Sequence, residues 1–175
     1  MIKLLTLEDK NKIAAEFDIE YRALNAVFMV ESSGHGFDTS TGKIKIQFEP
    51  HWFLKYTGIK VQNGVEGQSA EWAAYNKAAA INSEAANKST SWGLGQIMGF
   101  NFKSAGYDSV HDMIDSFIES EINQLKGMLT FIKTNPIMYE ALKRKDWATF
   151  AKYYNGPQYL EFKYDTRLAE SYNKS

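Results

Sequence analysis

The chain has no cysteine, three prolines and three histidines in 175 residues, and its net charge is −1 with a pI near 6.3. Without cysteine there are no disulfides and no thiolate metal sites. The histidines, His35, His51 and His111, stand far apart and form no HExxH pair for zinc, so neither a metal nor an organic cofactor is expected. The balanced charge excludes the overall basic character of a nucleic-acid binder. Long apolar runs are missing too. The opening stretch Met1 to Leu7 is cut off at once by Glu8, Asp9 and Lys10, too short for a signal peptide, and no later segment reaches the roughly 20 apolar residues of a membrane span. A soluble product made in the cytoplasm, with no membrane insertion, is the expectation.

What is present is apolar mass. With 44% hydrophobic and 14% aromatic residues in 19.9 kDa, the chain can bury one proper core, and a single domain over residues 1–175 is expected because no repeat, low-complexity tract or long linker divides it. Helical periodicity dominates. Thr6 with Asp9 forms a capping signature before Ile13, Ala14 and Phe17. Asp18 is placed to cap a second helix from Ile19 to about Glu31, stopped by Ser32-Ser33-Gly34. An alanine-rich helix runs from Ser69 to about Lys88 with a break at Asn82. Ser109 opens the longest helix, whose stripe is Met113, Phe117, Glu121, Leu125, Met128 and Ile132. Asn135-Pro136 starts a short helix, Asp146 caps another that ends at Asn155-Gly156-Pro157, and a last one covers about Asp165 to Tyr172.

One stretch alternates instead. In Lys43 to Glu49, Ile44, Ile46 and Phe48 point one way and the polar residues the other, as in a half-buried strand that Pro50 limits. The sum is an α+β fold, predominantly α-helical, with seven to eight helices and a small β-hairpin or sheet. The glycine-bearing loop from Gly58 to Gly67 is the expected mobile part.

Glu31 is the residue that does not fit a plain core. Counting back to Phe28, Val27 and Leu24 puts it on the apolar face of its helix, where burial raises a carboxyl's pKa and keeps a general acid protonated near neutrality. The bland alternative is a helix-end glutamate turned to water. Two further motifs stand apart from the helices: Trp92-Gly93-Leu94-Gly95-Gln96-Ile97-Met98 and Tyr153-Tyr154-Asn155-Gly156. Gly93 and Gly95 allow close backbone approach to a ligand, Gln96 offers a donor and an acceptor to sugar hydroxyls and amides, and Trp92 offers a flat face for a pyranose. A glycine turn among packing residues is the plainer reading of the first motif, and core tyrosines of the second.

Taken in order, Glu31-Ser32, then GLGQIM, then Tyr-Asn-Gly resemble the lysozyme-like superfamily of goose-type lysozymes and lytic transglycosylases. The segments AVFMVESSG, KIKIQFEPHWF, SWGLGQIMGFNF, AGYDSVHDMI and YYNGP with YDTRLAESY resemble the bacteriophage N-acetylmuramidase endolysins over about Leu24 to Tyr172. That resemblance implies a lysozyme-like fold whose β element lines a cleft. It implies cleavage of peptidoglycan glycan strands between N-acetylmuramic acid and N-acetylglucosamine, with Glu31 as general acid and with Ser32, Trp92, Gln96, Tyr153 and Asn155 on the substrate. Glu49 on the strand's polar face and Asp38 in the loop after Glu31 are the candidates for the second group that glycoside hydrolysis needs. Many relatives carry a separate wall-binding module, whereas the catalytic domain is expected to occupy this whole chain, as a monomer that reaches the wall from the host cytoplasm through a separate pore-forming protein. Two alternatives stay open: a lytic transglycosylase forming 1,6-anhydro products, and a non-catalytic glycan-binding virion protein.

Overall fold

The computed structural model describes residues 3–63 and 66–175, so two residues of the loop between Gly58 and Gly67, where mobility was expected, lie outside the description, as do Met1 and Ile2 of the opening stretch. Ten α-helices and a three-stranded antiparallel sheet are found among the described residues. None of these helices is long and apolar enough to cross a membrane.

Helix α1 (Leu7–Glu16) opens on the expected reciprocal cap: the Thr6 hydroxyl accepts from the Asp9 N–H at 3.0 Å and the Asp9 carboxylate accepts from the Thr6 N–H at 3.0 Å. Helix α2 (Tyr21–Ser32) begins later than the sequence suggested. Asp18 does not cap it; the residue sits at φ +53 and pairs with Lys143, and Glu20 holds the N-cap position without a side-chain bond. The left-handed Ser33 at φ 56 then ends α2, its N–H donating to the Met29 carbonyl. Ala23, Leu24, Val27 and Phe28 on its inner face are fully buried.

Strand β1 (Ile46–Phe48) is shorter than the alternating stretch that contains it, although Ile44, Ile46 and Phe48 all face inward as expected. It pairs with β2 (Thr90–Trp92), which pairs with β3 (Ile97–Met98). Pro50 does more than end a strand. It is the first residue of α3 (Pro50–Thr57), where its missing N–H costs nothing, and this helix hides from apolar periodicity because it is short and mostly exposed.

Helices α4 (Gln68–Ile81) and α5 (Ser83–Lys88) are separated at Asn82, whose extended backbone and side-chain bond to the Ala85 N–H cap the second of them. The longest expected helix is likewise two, α6 (Val110–Glu119) and α7 (Glu121–Thr134), broken at the extended Ser120. Glu121 explains the break. Its buried carboxylate accepts the backbone N–H groups of Leu5 and Gly36, each at 2.8 Å, and so ties the chain's beginning and the loop after α2 to the start of α7. Periodicity had counted it as one more member of a stripe. Helices α8 (Pro136–Lys143), α9 (Trp147–Tyr154) and α10 (Tyr164–Lys174) complete the chain, with α10 packed along α2.

The buried apolar residues form two clusters. The larger joins α2, α6, α7, α8, α9 and the sheet around Phe28, Trp92, Phe117, Met128 and Phe150; the smaller joins β1 and α3 to α5 around Phe48, Phe53, Ala78 and Ala86. A groove is lined by the end of β1 and the start of α3 together with residues of α7 to α10.

Candidate active site

The groove encloses about 1280 Å³. One wall comes from the end of β1 and the start of α3, with Gln47, Glu49, His51 and Trp52. The other wall comes from the stretch α7 to α10, with Phe131, Asn135, Met138, Tyr153, Tyr154, Asn155, Phe162 and Tyr164 among its residues, and Met98, Phe100, Asn101 and Ser104 also line the groove.

Glu31, in the last turn of α2, is half-buried and is bonded to the groove residue Asn155. Asn155 Nδ2 donates to Glu31 Oε1 at 2.6 Å, joining the end of α2 to the end of α9 across 124 residues of sequence. Burial pushes the Glu31 carboxyl up from 4.5 to about 7, against the lowering effects of the Asn155 hydrogen bond and of the Arg167 charge. Arg167 is held there by its own bond to the Val30 carbonyl at 3.3 Å. The same helix end that α10 covers is therefore where the acid sits.

Glu49 occupies the N-cap position of α3 and lines the opposite wall, its backbone N–H bonded to the Ser89 carbonyl at 2.9 Å. Partial burial raises its pKa, and the charge of Glu71 raises it further. Glu71 is fixed close by because it accepts from the Phe48 N–H and from Asn63 Nδ2, both at 2.8 Å. His51 Nδ1 stands 3.6 Å from the Glu49 carboxylate. The Tyr164 phenol, raised first by burial, is raised again by Glu31 and, more weakly, by Glu49, which puts a groove residue within electrostatic reach of both carboxylates.

Tyr153 is 41% exposed and lines the groove, as does Asn155, whose amide nonetheless serves Glu31. The remaining expected site residues are placed differently. Asp38 holds a turn: its carboxylate accepts from Ser40 Oγ at 2.5 Å and from the Thr41 N–H at 2.8 Å, which keeps its pKa below the usual range, and it is absent from the groove wall. Ser32 is buried, and its hydroxyl donates to the Leu94 carbonyl at 2.7 Å. Trp92 is 1% exposed, its ring packed edge-on against Trp72 and Tyr75, so no sugar can stack on it.

Gln96 is also turned inward. Its Oε1 accepts from Ser91 Oγ at 2.8 Å and its Nε2 donates to the Gly93 carbonyl at 2.9 Å, closing the turn in which Gln96 itself takes φ +50. The glycines of that turn admit the protein's own side chains, not a ligand. A Cβ at Gly93, where φ is +73, would meet Gln124 Oε1 at 2.6 Å, and one at Gly95 would meet Met128 at 2.7 Å and Tyr154 Oη at 2.8 Å. Gln124 uses that close approach to accept from the Leu94 N–H at 2.8 Å.

Sequence reasoning missed Trp52, Phe100, Tyr164 and Arg167. For Trp52 there was a usable signal: proline at the first position of a helix puts Glu49 at its cap and Trp52 three residues on. Arg167 and Tyr164 come from the far end of the chain and carry no local mark. Among the described residues no three His, Asp or Glu side chains converge as a metal site would require.

The family model for N-acetylmuramidase matches residues 20–175. A crystal structure of the Burkholderia AP3 phage endolysin superposes with a TM-score of 0.82 at 34% sequence identity, covering 98% of this chain and 70% of that one. No curated protein sequence matches. The motifs, the mainly helical fold with its small sheet, and a family match over nearly the whole chain agree: the protein belongs to the N-acetylmuramidase family and is a glycosidase-type peptidoglycan hydrolase.

Proposed function

We propose that the protein is a phage endolysin that hydrolyses the bond between N-acetylmuramic acid and N-acetylglucosamine, with Glu31 as general acid and Glu49 as the group that activates water. The observation that carries this reading is the Glu31 carboxyl, raised to about 7 beside the groove and bonded on one oxygen by Asn155. At pH 6 such a group is mostly protonated. Because Asn155 donates to Oε1, the proton resides on Oε2, from which it passes to the glycosidic oxygen as the bond to C1 breaks. Positive charge then develops on the sugar ring. Glu49, ionised, takes a proton from a groove water whose oxygen bonds to C1, and Glu31 is left as a carboxylate held by Asn155 Nδ2 and facing the Arg167 charge. The two carboxyls must be in opposite ionisation states for a turnover.

Mass spectrometry of the products from purified peptidoglycan tests the reaction type. Muropeptides with reducible muramic ends are expected. 1,6-Anhydro ends would instead identify a transglycosylase, in which the substrate's own hydroxyl replaces the water, and the absence of any product would identify a binding protein.

The same reading makes residues 1–175 one catalytic unit that acts as a monomer, reaching the wall only after a separate protein opens the inner membrane. Light scattering should give a mass near 19.9 kDa. Bacteria producing the protein should stay intact until their membrane is permeabilised, and spontaneous lysis would contradict this route.

A further inference from the structure

We propose that Trp52, with Phe100 beside it, is a sugar-stacking platform that holds one ring of the glycan strand next to Glu49; the proposal rests on the reading of the groove as the glycan site. Of the four tryptophans, Trp92 is buried in the main core and Trp72 and Trp147 pack against it. Trp52 belongs to neither core cluster, and neither does Phe100, yet both line the groove. A large aromatic side chain that contributes to no core and lies half-buried along a groove offers that groove an apolar surface on which a ligand can pack.

The platform is built, not accidental. Trp52 follows the Glu49 cap by three residues, so the helix start that presents the carboxylate also presents the indole on the same wall. Phe100 supports the ring at 4.8 Å between centroids and Tyr56 lies 6.3 Å away in a stacked orientation, which limits the rotamers the indole can take. The ligand class follows from the surroundings. An N-acetylhexosamine has an apolar C–H face for the indole and hydroxyl and acetamido groups for amides, and the Gln47 and Asn101 amides line the same groove. Lys55 Nζ lies over the Trp52 ring, 4.7 Å from its centroid, and a sugar stacking on that face would displace it toward the carboxylates that the strand or its stem peptides carry. The stacking role expected of Trp92 is thus filled from another part of the chain.

The test uses the full chain carrying Glu31→Gln, which prevents turnover, and soluble glycan strands freed of stem peptides by an amidase. Trp52→Ala in that background is expected to raise Kd roughly tenfold, Trp52→Phe to raise it less, and strand binding to shift tryptophan emission with Trp52 present but not in the Trp52→Phe variant. Equal affinity with and without Trp52 overturns the platform, and so does an emission change that persists in Trp52→Phe; the phenylalanine variant decides the matter if the alanine one does not fold. Product release by the wild type separates the two levels: a cleaving enzyme with Trp52-independent affinity loses only the platform, whereas a protein that neither binds nor cleaves strands loses the groove assignment as well.

Discussion

Asn155 donates to Glu31 at 2.6 Å while its own carboxamide oxygen, buried, accepts no hydrogen bond among the described residues. The pair joins helices far apart in sequence, and it leaves a polar atom unsatisfied next to the acid. Native structures hold few such atoms.

Removing that donor should change the acid's titration. In Asn155→Ala the ionised form of Glu31 loses its hydrogen bond, so its pKa rises and the alkaline limb of the pH–rate profile moves to higher pH, while kcat falls by up to ~10²-fold as the carboxyl loses its alignment. A profile with an unmoved alkaline limb would remove Asn155 from this role.

Glu31 should also leave a mark on stability. Its folded-state pKa is raised, so the folded protein binds a proton more tightly than the unfolded chain, and the contribution is fully present below 4.5 and lost as pH rises through about 7. The ceiling on that loss is about 3 kcal/mol. Glu31→Gln, which has no charge to bury, should match the wild-type Tm at pH 4 and exceed it at pH 8. Equal Tm values at both pH values would show that the carboxyl is not raised by burial.

Activity should be bell-shaped in pH. The alkaline limb belongs to Glu31 near 7, and the acid limb, belonging to Glu49, should lie above 4.5 because burial and Glu71 both raise that group. Glu49→Gln should lower kcat by about 10²–10⁴-fold and abolish the acid limb. Full activity with reducible products would move the activation of water to another group, and Asp38 is poorly placed to supply it because its carboxylate is engaged in the turn with Ser40 and Thr41.

Gln96 is expected to matter for stability and not for binding. Gln96→Ala removes the side-chain bonds to Ser91 Oγ and to the Gly93 carbonyl and should cost about 1–3 kcal/mol in urea unfolding, with KM for glycan strands little changed. A stable variant with a raised KM would return Gln96 to the substrate.

The fold class was legible because local signals agree with the packing: the Thr6–Asp9, Ser109 and Asp146 caps and the Asn135-Pro136 start all stand where the sequence puts them. Helix boundaries failed where a long-range bond overrides local preference, as at Ser120, where Glu121 binds the N–H groups of Leu5 and Gly36. The site divides the same way. The burial of Glu31 was legible because a carboxylate on an apolar helix face is unusual in itself, whereas the Asn155 bond to it, made across two helices far apart in sequence, was not. Whether Trp92 or Trp52 meets a sugar depends on which indole the core encloses, and composition treats the two alike.

The most direct test of the account is the rate at which Glu31→Gln releases reducing ends from purified peptidoglycan at pH 6, with circular dichroism confirming the fold. The amide keeps the shape of the carboxyl but has no proton to give the leaving oxygen, so turnover should fall by at least about 10²-fold. A folded Glu31→Gln protein that releases reducing ends at close to the wild-type rate would contradict the assignment of Glu31 as the acid.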